Sequence, residues 1–292
     1  MTKHLTIDPL VESDDKFILE LVNTEGWLKY IGDRNVHSKD DALGYIKKII
    51  GRPGIRYWVV RLNHTGIPIG IISYLKRDYL ENPDIGFAFL PTFSKNGYAY
   101  EATKEVLHLL IHSTEHSHIL GVTIPDNIPS ITLLKKLGFQ FQKEIQVENE
   151  RLHVYNISTD KLYISEITGS FFDVFSNKEN STPNLDLLNE ICLPEVSLIN
   201  QSDVKPHIYD LASFIEPRKK ILTDGTLMNF EEKETLEKTK IINNIAHRHS
   251  KYEKRGVLNG KSFRQTGSKL FQFVKINSSW KIRSVIWQDD MN

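Results

Sequence analysis

The residues best suited to chemistry lie in one stretch, Asp84 to Ala102 (DIGFAFLPTFSKNGYAYEA). An apolar run over 84–90 stops at Pro91, and the turn Ser94-Lys95-Asn96-Gly97-Tyr98-Ala99 opens an amphipathic helix. A helix start leaves backbone N–H groups unpaired and carries partial positive charge, so an anion placed there gains hydrogen bonds and dipole stabilisation together. Gly97 has no side chain and lets a pyrophosphate approach the backbone closely, and Lys95 adds a positive charge beside it. The chemistry that this pattern offers is capture of a phosphate group by main-chain donors.

A second set follows about thirty residues later: Asn127, Ser130 and the run Leu133-Leu134-Lys135-Lys136-Leu137-Gly138-Phe139. Pro125 ends a strand, Ser130 sits in the first turn of a short helix, and Gly138 suits a left-handed C-cap.

These residues must be held by a mixed β/α framework. A strand is expected at 4–8, a helix at 12–22 with Ser13 as N-cap, and a helix at 39–50 with Ser38 as N-cap. Strands at 56–62 and 67–75 flank an Asn63–Gly66 turn, followed by a strand at 84–90 that is apolar enough to be buried on both faces. The helix near 97–113 buries Ala99, Ala102, Val106, Leu109 and Leu110. A strand at 119–124, a helix at 130–137 and a hairpin over 139–158 complete a central sheet with helices on its faces. Near Ser158 to Ile167 the character changes: then come a helix over 167–175, a polar loop over 176–184, a short helix, and long strands near 226–235, 237–254 and 269–289, the last divided by a hairpin at Asn277-Ser278-Ser279.

The chain has 292 residues, and its 37 basic side chains balance its 37 acidic ones, so nothing global favours nucleic acid. The single cysteine, Cys192, permits neither an internal disulfide nor a cysteine-based zinc site. His108 and His112 stand one helical turn apart, but no carboxylate completes a recognisable set and no metal is expected. No apolar run reaches the roughly 18 residues of a membrane span, and the N-terminus lacks a signal-peptide core. A cytoplasmic protein is the expectation.

The two sets of residues resemble motifs A and B of the GCN5-related N-acetyltransferase (GNAT) superfamily, in its ribosomal-protein acetyltransferase-like branch. Motif A runs as Gln or Arg, two residues, Gly, one residue, then Gly or Ala; Gly97 and Ala99 match, and Ser94 departs from it. Motif B runs as Asn, two residues, Ser, and a leucine-rich helix ending Leu-Gly-Phe, as here from Asn127 to Phe139. The resemblance covers residues 1–160 and implies an α/β acetyltransferase fold with a mixed central sheet.

The resemblance implies that acetyl-CoA is the cosubstrate and that its acetyl group passes directly to an amine, on a protein N-terminus or a small molecule. The cradle 94–99 would hold the pyrophosphate, while Phe89, Leu90 and Asn127 would hold the pantetheine arm. Asp84 is the expected base, acting through water, with Glu81 and Glu101 as competitors; Ser130 is the expected donor to the departing thiolate. The family's tyrosine near this point is missing, since none lies between Ile119 and Phe139. Trp27, Tyr30, Arg34 and Arg77 fall where acceptor-side residues are expected.

Residues 165–292 resemble the NTF2-like cone of ketosteroid isomerase-type and SnoaL-like domains, on helices followed by long curved strands and on Phe271-Gln272-Phe273-Val274, Trp280-Lys281-Ile282 and Trp287-Gln288-Asp289. That resemblance implies pairing of two copies through the C-terminal domain. His247 and His249 alternate on a strand and so share a face, where they could line the cone's pocket or stay in solvent. Two rival readings stand beside the enzyme: a domain that senses acyl-CoA without turnover, and a bifunctional protein with a ligand-binding or isomerase-type C-terminal pocket.

Overall fold

Leu5–Pro9 forms the edge strand β1 of a sheet ordered β1-β2-β3-β4-β5-β7-β6. The other strands are β2 (Arg56–Leu62), β3 (Pro68–Leu75), β4 (Asp84–Phe89), β5 (His118–Thr123), β6 (Gln140–Val147) and β7 (Glu150–Ser158). All neighbours pair antiparallel except β4 and β5, which run parallel, so the sheet is mixed. This computed structural model describes residues 2–113, 116–178 and 181–290; Glu179 and Asn180 of the expected 176–184 loop lie outside the described residues. The chain divides into two compact units, residues 1–159 and 160–292.

One face of the first sheet is covered by α1 (Asp15–Val22), α2 (Glu25–Tyr30) and α3 (Lys39–Ile50). Their apolar residues Phe17, Ile18, Leu21 and Ile46 pack on Val59 and Ile71. Burial of such side chains contributes about 1.5–3 kcal/mol each. Ser38 caps α3 by accepting the Asp41 N–H, as its sequence position suggests. Ser13 is not a cap: the chain enters a 3-10 turn at Glu12–Asp14, and Asp14 takes the Val11 N–H instead. The opposite face carries α4 (Tyr98–Ile111) and α5 (Ile128–Lys136). Leu109 is exposed, and Ala102, Thr103, Val106, Leu107 and Leu110 form the buried stripe of α4.

At the start of the second unit lies α6 (Thr159–Asp173), which starts eight residues before the expected helix. Then come α7 (Leu188–Ile191), β8 (Cys192–Asn200), β9 (His207–Tyr209), α8 (Leu211–Thr223) and four long strands. These are β10 (Leu227–Ile242), β11 (Ile245–Leu258), β12 (Lys261–Ile276) and β13 (Ser279–Asp289), in a sheet ordered β10-β11-β12-β13-β8-β9. The meander has the four strands expected once the last run is divided at its hairpin, but the first turn falls at Asn243 and not at 235–237, and all three turns, at Asn243, Asn259-Gly260 and Asn277-Ser278, have left-handed residues. β13 closes parallel against β8.

The space between these helices and their sheet is filled by Phe171, Phe172, Phe214, Phe271, Phe273 and Trp280, all buried. Within it Lys269 pairs with Glu232 at 2.9 Å, both under 8% exposed, and burial lowers the lysine pKa against the pull of Glu232. Trp280 and Lys275 both donate to Asp160 at 2.7 Å and tie α6 to the sheet. Arg248 faces this interior, so its strand neighbours His247 and His249 sit on the outer face and do not line a pocket.

Candidate active site

The site is built where β4 and β5 part. Their ladder holds at the single register position Asp84↔Leu120, and past it the two strands diverge. Leu90 N–H donates to Ile69 O at 2.9 Å, which fixes the parity of the β3–β4 ladder. Asp84, Gly86, Ala88 and Leu90 turn their backbone groups to β3; Ile85, Phe87 and Phe89 turn theirs toward β5. The open edge is therefore offered by Phe87 and Phe89. Leu90 is excluded from it, because its N–H serves β3 and its carbonyl accepts the Phe93 N–H. Residues 86–89 are only half-buried, whereas a strand covered on both faces was expected; the open edge is the reason.

Pro91–Phe93 forms a 3-10 turn whose last bond, Ser94 N–H to Pro91 O, spends the Ser94 donor inside the turn. Lys95 (φ 65°) and Gly97 (φ 82°) are both left-handed, and only Gly97 takes that conformation without cost. Gly97 is the N-cap of α4, with no side chain bonded to the helix start and open space where a Cβ would stand. The first helical bond is Glu101 N–H to Gly97 O. The N–H groups of Tyr98, Ala99 and Tyr100 therefore point ahead of the helix, free to donate to an anion. Ser94, Lys95 and Asn96 are exposed at its rim.

Across the gap, Asn127 is the N-cap of α5 and accepts the Ser130 N–H at 3.2 Å. Its Oδ1 is thus committed to the helix, and the amide NH2 is the donor it can offer outward. Ser130 is half-buried in the first turn. Gly121 on β5 leaves room for Leu134, which would stand 2.5 Å from an added Cβ.

Asp84 is 2% exposed and lies where the strands part. Burial raises its pKa, and Arg77, 2.9 Å away through Nε, opposes the rise without cancelling it. Arg77, expected at the acceptor, is thus first the partner of Asp84. The competing bases are otherwise engaged or remote. Glu101 takes both the His4 N–H and Nδ1 at 2.9 Å, while the Glu81 side chain is 82% exposed and 4.0 Å from Lys143.

Of the other acceptor-side candidates, Trp27 is a core residue, 5% exposed among Phe17, Ile18 and Val36, and is too deep to meet an acceptor. Tyr30 is half-buried beside its own Lys29, 5.0 Å from the ring. Arg34 is exposed and lies within electrostatic reach of Tyr45 on α3 and Tyr57 on β2. Burial raises the pKa of both tyrosines, so both keep their protons. Tyr57 pairs with Ser73 and Ser73 with Gly86, which puts these three on one row and one face of the sheet. Tyr57 and Asp84 thus share the α1–α3 face, with Arg77 paired to Asp84. Tyr45, Tyr57 and Phe87 were missed from sequence. Tyr57 could have been found by carrying the two-residue alternation across β2, β3 and β4; Tyr45 could not, because its partner lies on another element.

The mixed sheet thus holds one parallel pair of strands, which part beside an uncapped helix start. Residues 4–140 match the family model described as acetyltransferase (GNAT) domain, and the first unit carries a GNAT acetyltransferase domain. An uncharacterized N-acetyltransferase of Bacillus subtilis, YnaD, is 29% identical over 153 residues, spanning 51% of this chain and 89% of that protein. A GNAT-family acetyltransferase from Bacillus anthracis is 23% identical, spanning 55% of this chain and 98% of its own, with a TM-score of 0.48. Ribosomal-protein-S5-alanine acetyltransferase from Vibrio fischeri is 16% identical over 56% and 97%, with a TM-score of 0.49. Among the described residues no helix is long and apolar enough to cross a membrane.

Proposed function

We propose that the first unit transfers an acetyl group from acetyl-CoA to a primary amine by direct attack. The observation that carries this reading is the free edge of Phe87 and Phe89 leading to the uncapped start of α4. The edge can pair with an extended amide-bearing arm, and the helix start can hold the pyrophosphate at its far end.

The neutral amine nitrogen attacks the thioester carbon. The oxyanion that forms is met by a backbone N–H of the open edge. Collapse forms the amide and breaks the C–S bond; the Ser130 hydroxyl donates a hydrogen bond to the thiolate and passes it a proton from water, keeping its own count unchanged, while Asp84 returns the amine's proton to solvent. The proton shed by the amine goes to Asp84 by way of water, because the buried carboxylate is closed to direct approach. The products are one amide and one CoA thiol. CoA release measured with Asp84→Asn and Ser130→Ala tests this: both variants should lose rate while still binding acetyl-CoA. Unchanged rates in both would remove these assignments. A wild type that binds acetyl-CoA and acetylates no amine would favour the sensor reading.

We also propose that the second unit is an NTF2-like cone. The support is its order of helices, β8–β9 hairpin, α8 and four-stranded meander, with β13 returning parallel to β8. Its packed aromatic interior argues against isomerase chemistry there. Leu270, Ile286 and Ile208, exposed along one line of the outer face, support pairing of two copies through this sheet.

A further inference from the structure

Gly70, Gly86 and Gly121 lie inside the strands around the open edge, and they differ in what covers them. Gly70 on β3 lies under the Phe89 ring and Gly121 on β5 under Leu134; an added Cβ would stand 2.3 and 2.5 Å from those side chains. Gly86 on β4 is uncovered. An added Cβ there would stand 2.6 Å from the Ser73 hydroxyl oxygen, and among the described residues no other atom lies within 4 Å of it, its chain neighbours Ile85 and Phe87 aside. A glycine inside a strand marks a bulge or a place where something approaches closely. The β3–β4 ladder runs through Ser73↔Gly86 without a bulge, so close approach is the reading left.

The opening has a defined place. Gly86 follows Asp84 by two residues, so both face α1–α3, and Ser73 and Tyr57 continue the Gly86 row on that face. Ile85 and Phe87, on either side of Gly86, turn their backbone groups toward β5. The space over Gly86 therefore leads from the α1–α3 face to the free edge, beside the carboxylate. Gly86 itself is half-buried, so the space reaches the surface. Ser73 is 9% exposed, and its hydroxyl has no hydrogen-bond partner among the described residues. A buried hydroxyl left unpaired costs free energy that a ligand N–H placed against it recovers.

We propose that the space over Gly86 is the port through which the acceptor amine reaches the thioester, and that the Ser73 oxygen accepts a hydrogen bond from the amine N–H. The lone pair is then left for the thioester carbon, and the second N–H for the water that leads to Asp84. Ser73 keeps its own proton, so the balance of the transfer is the one given above. The proposal rests on the acetyltransferase reading and adds the acceptor's point of entry. Ser73 is an acceptor-binding residue, and Gly86 keeps the way to it open.

The test is CoA release with propylamine, lysine, spermidine and trialanine, in the wild type, Ser73→Ala, Gly86→Ala and the double variant. Acetyl-CoA affinity, measured in parallel by calorimetry, reports that each variant is folded and should not move. Ser73→Ala should raise the KM of the amine roughly three- to tenfold, the size of one neutral hydrogen bond. Gly86→Ala should lower kcat/KM about a hundredfold, as when a reactant is displaced by ~1 Å. The double variant separates the port from packing. Without the Ser73 oxygen the added methyl meets no close contact, so strain alone would give recovery to the Ser73→Ala level. A filled port leaves the double variant as slow as Gly86→Ala. Unchanged amine kinetics in Ser73→Ala, or recovery in the double variant, would overturn the proposal and leave the acetyltransferase reading standing. A wild type that acetylates none of these amines is a separate failure, which removes that reading and this proposal with it.

Discussion

Arg77 Nε stands 2.9 Å from Asp84 Oδ1, and the two residues differ sharply in exposure: the Arg77 side chain is 37% exposed and that of Asp84 2%. The arginine can reach water without the carboxylate, but the carboxylate has no comparable substitute for the arginine. Arg77→Met should therefore cost about 2–4 kcal/mol, near the low end for breaking a buried pair because Arg77 is partly solvated. Urea denaturation measures this, and Asp84→Asn, which removes the buried charge itself, should cost less. Equal losses in the two variants would mean that the ion pair is not what makes Arg77 matter.

The same pair sets a pH dependence. Burial raises the Asp84 pKa, with Arg77 acting against it. A base works when ionised, so kcat/KM should fall on acidification at a pH above the roughly 4 of an ordinary aspartate. In Asp84→Asn that acid limb should disappear. For stability the sign is opposite to the usual carboxylate. A raised folded-state pKa means that the folded chain binds this proton more tightly than the unfolded one. The Asp84 contribution is thus greatest below the unfolded pKa and declines as pH rises through the folded one.

The sequence made the framework and the anion cradle legible because both are local. Gly97 before a helical stripe, Ser38 before α3, and the Leu-Gly-Phe ending at Phe139 each act within a few residues. What it hid depends on register and depth. Leu90 looks like cleft backbone until its N–H is seen to serve Ile69. Trp27 looks like an acceptor-side aromatic until it is seen to fill the core beneath α2, a helix that was itself overlooked because it has only six residues. Asn259-Gly260 is a hairpin signal that was passed over inside a strongly alternating stretch, so β12 was expected to begin eight residues later than Lys261.

Gly70 guards the shape of the open edge. A Cβ there would stand 2.3 Å from Cδ1 of Phe89, so Gly70→Ala must push the ring aside. The expected cost is about 1–3 kcal/mol, as for other overpacked sites. A double-mutant cycle with Phe89→Leu should show strong coupling between the two positions, since the smaller side chain relieves the clash. Additive losses would place the strain elsewhere.

In the second unit, Leu270→Asp places charge at one end of the exposed line formed with Ile286 and Ile208. Light scattering should give twice the chain mass for the wild type and the single-chain mass for the variant. A monomeric wild type would leave this apolar line without the partner proposed for it.

The central claim is that α4 begins in a phosphate cradle belonging to an acetyl-CoA site, and calorimetry with acetyl-CoA tests it most directly. Gly97→Glu puts bulk and negative charge into the open space in front of Tyr98, Ala99 and Tyr100. Saturable binding to the wild type and no detectable binding to the variant are expected, with both proteins folded by circular dichroism. Binding that survives Gly97→Glu, or a wild type that does not bind acetyl-CoA, would contradict it.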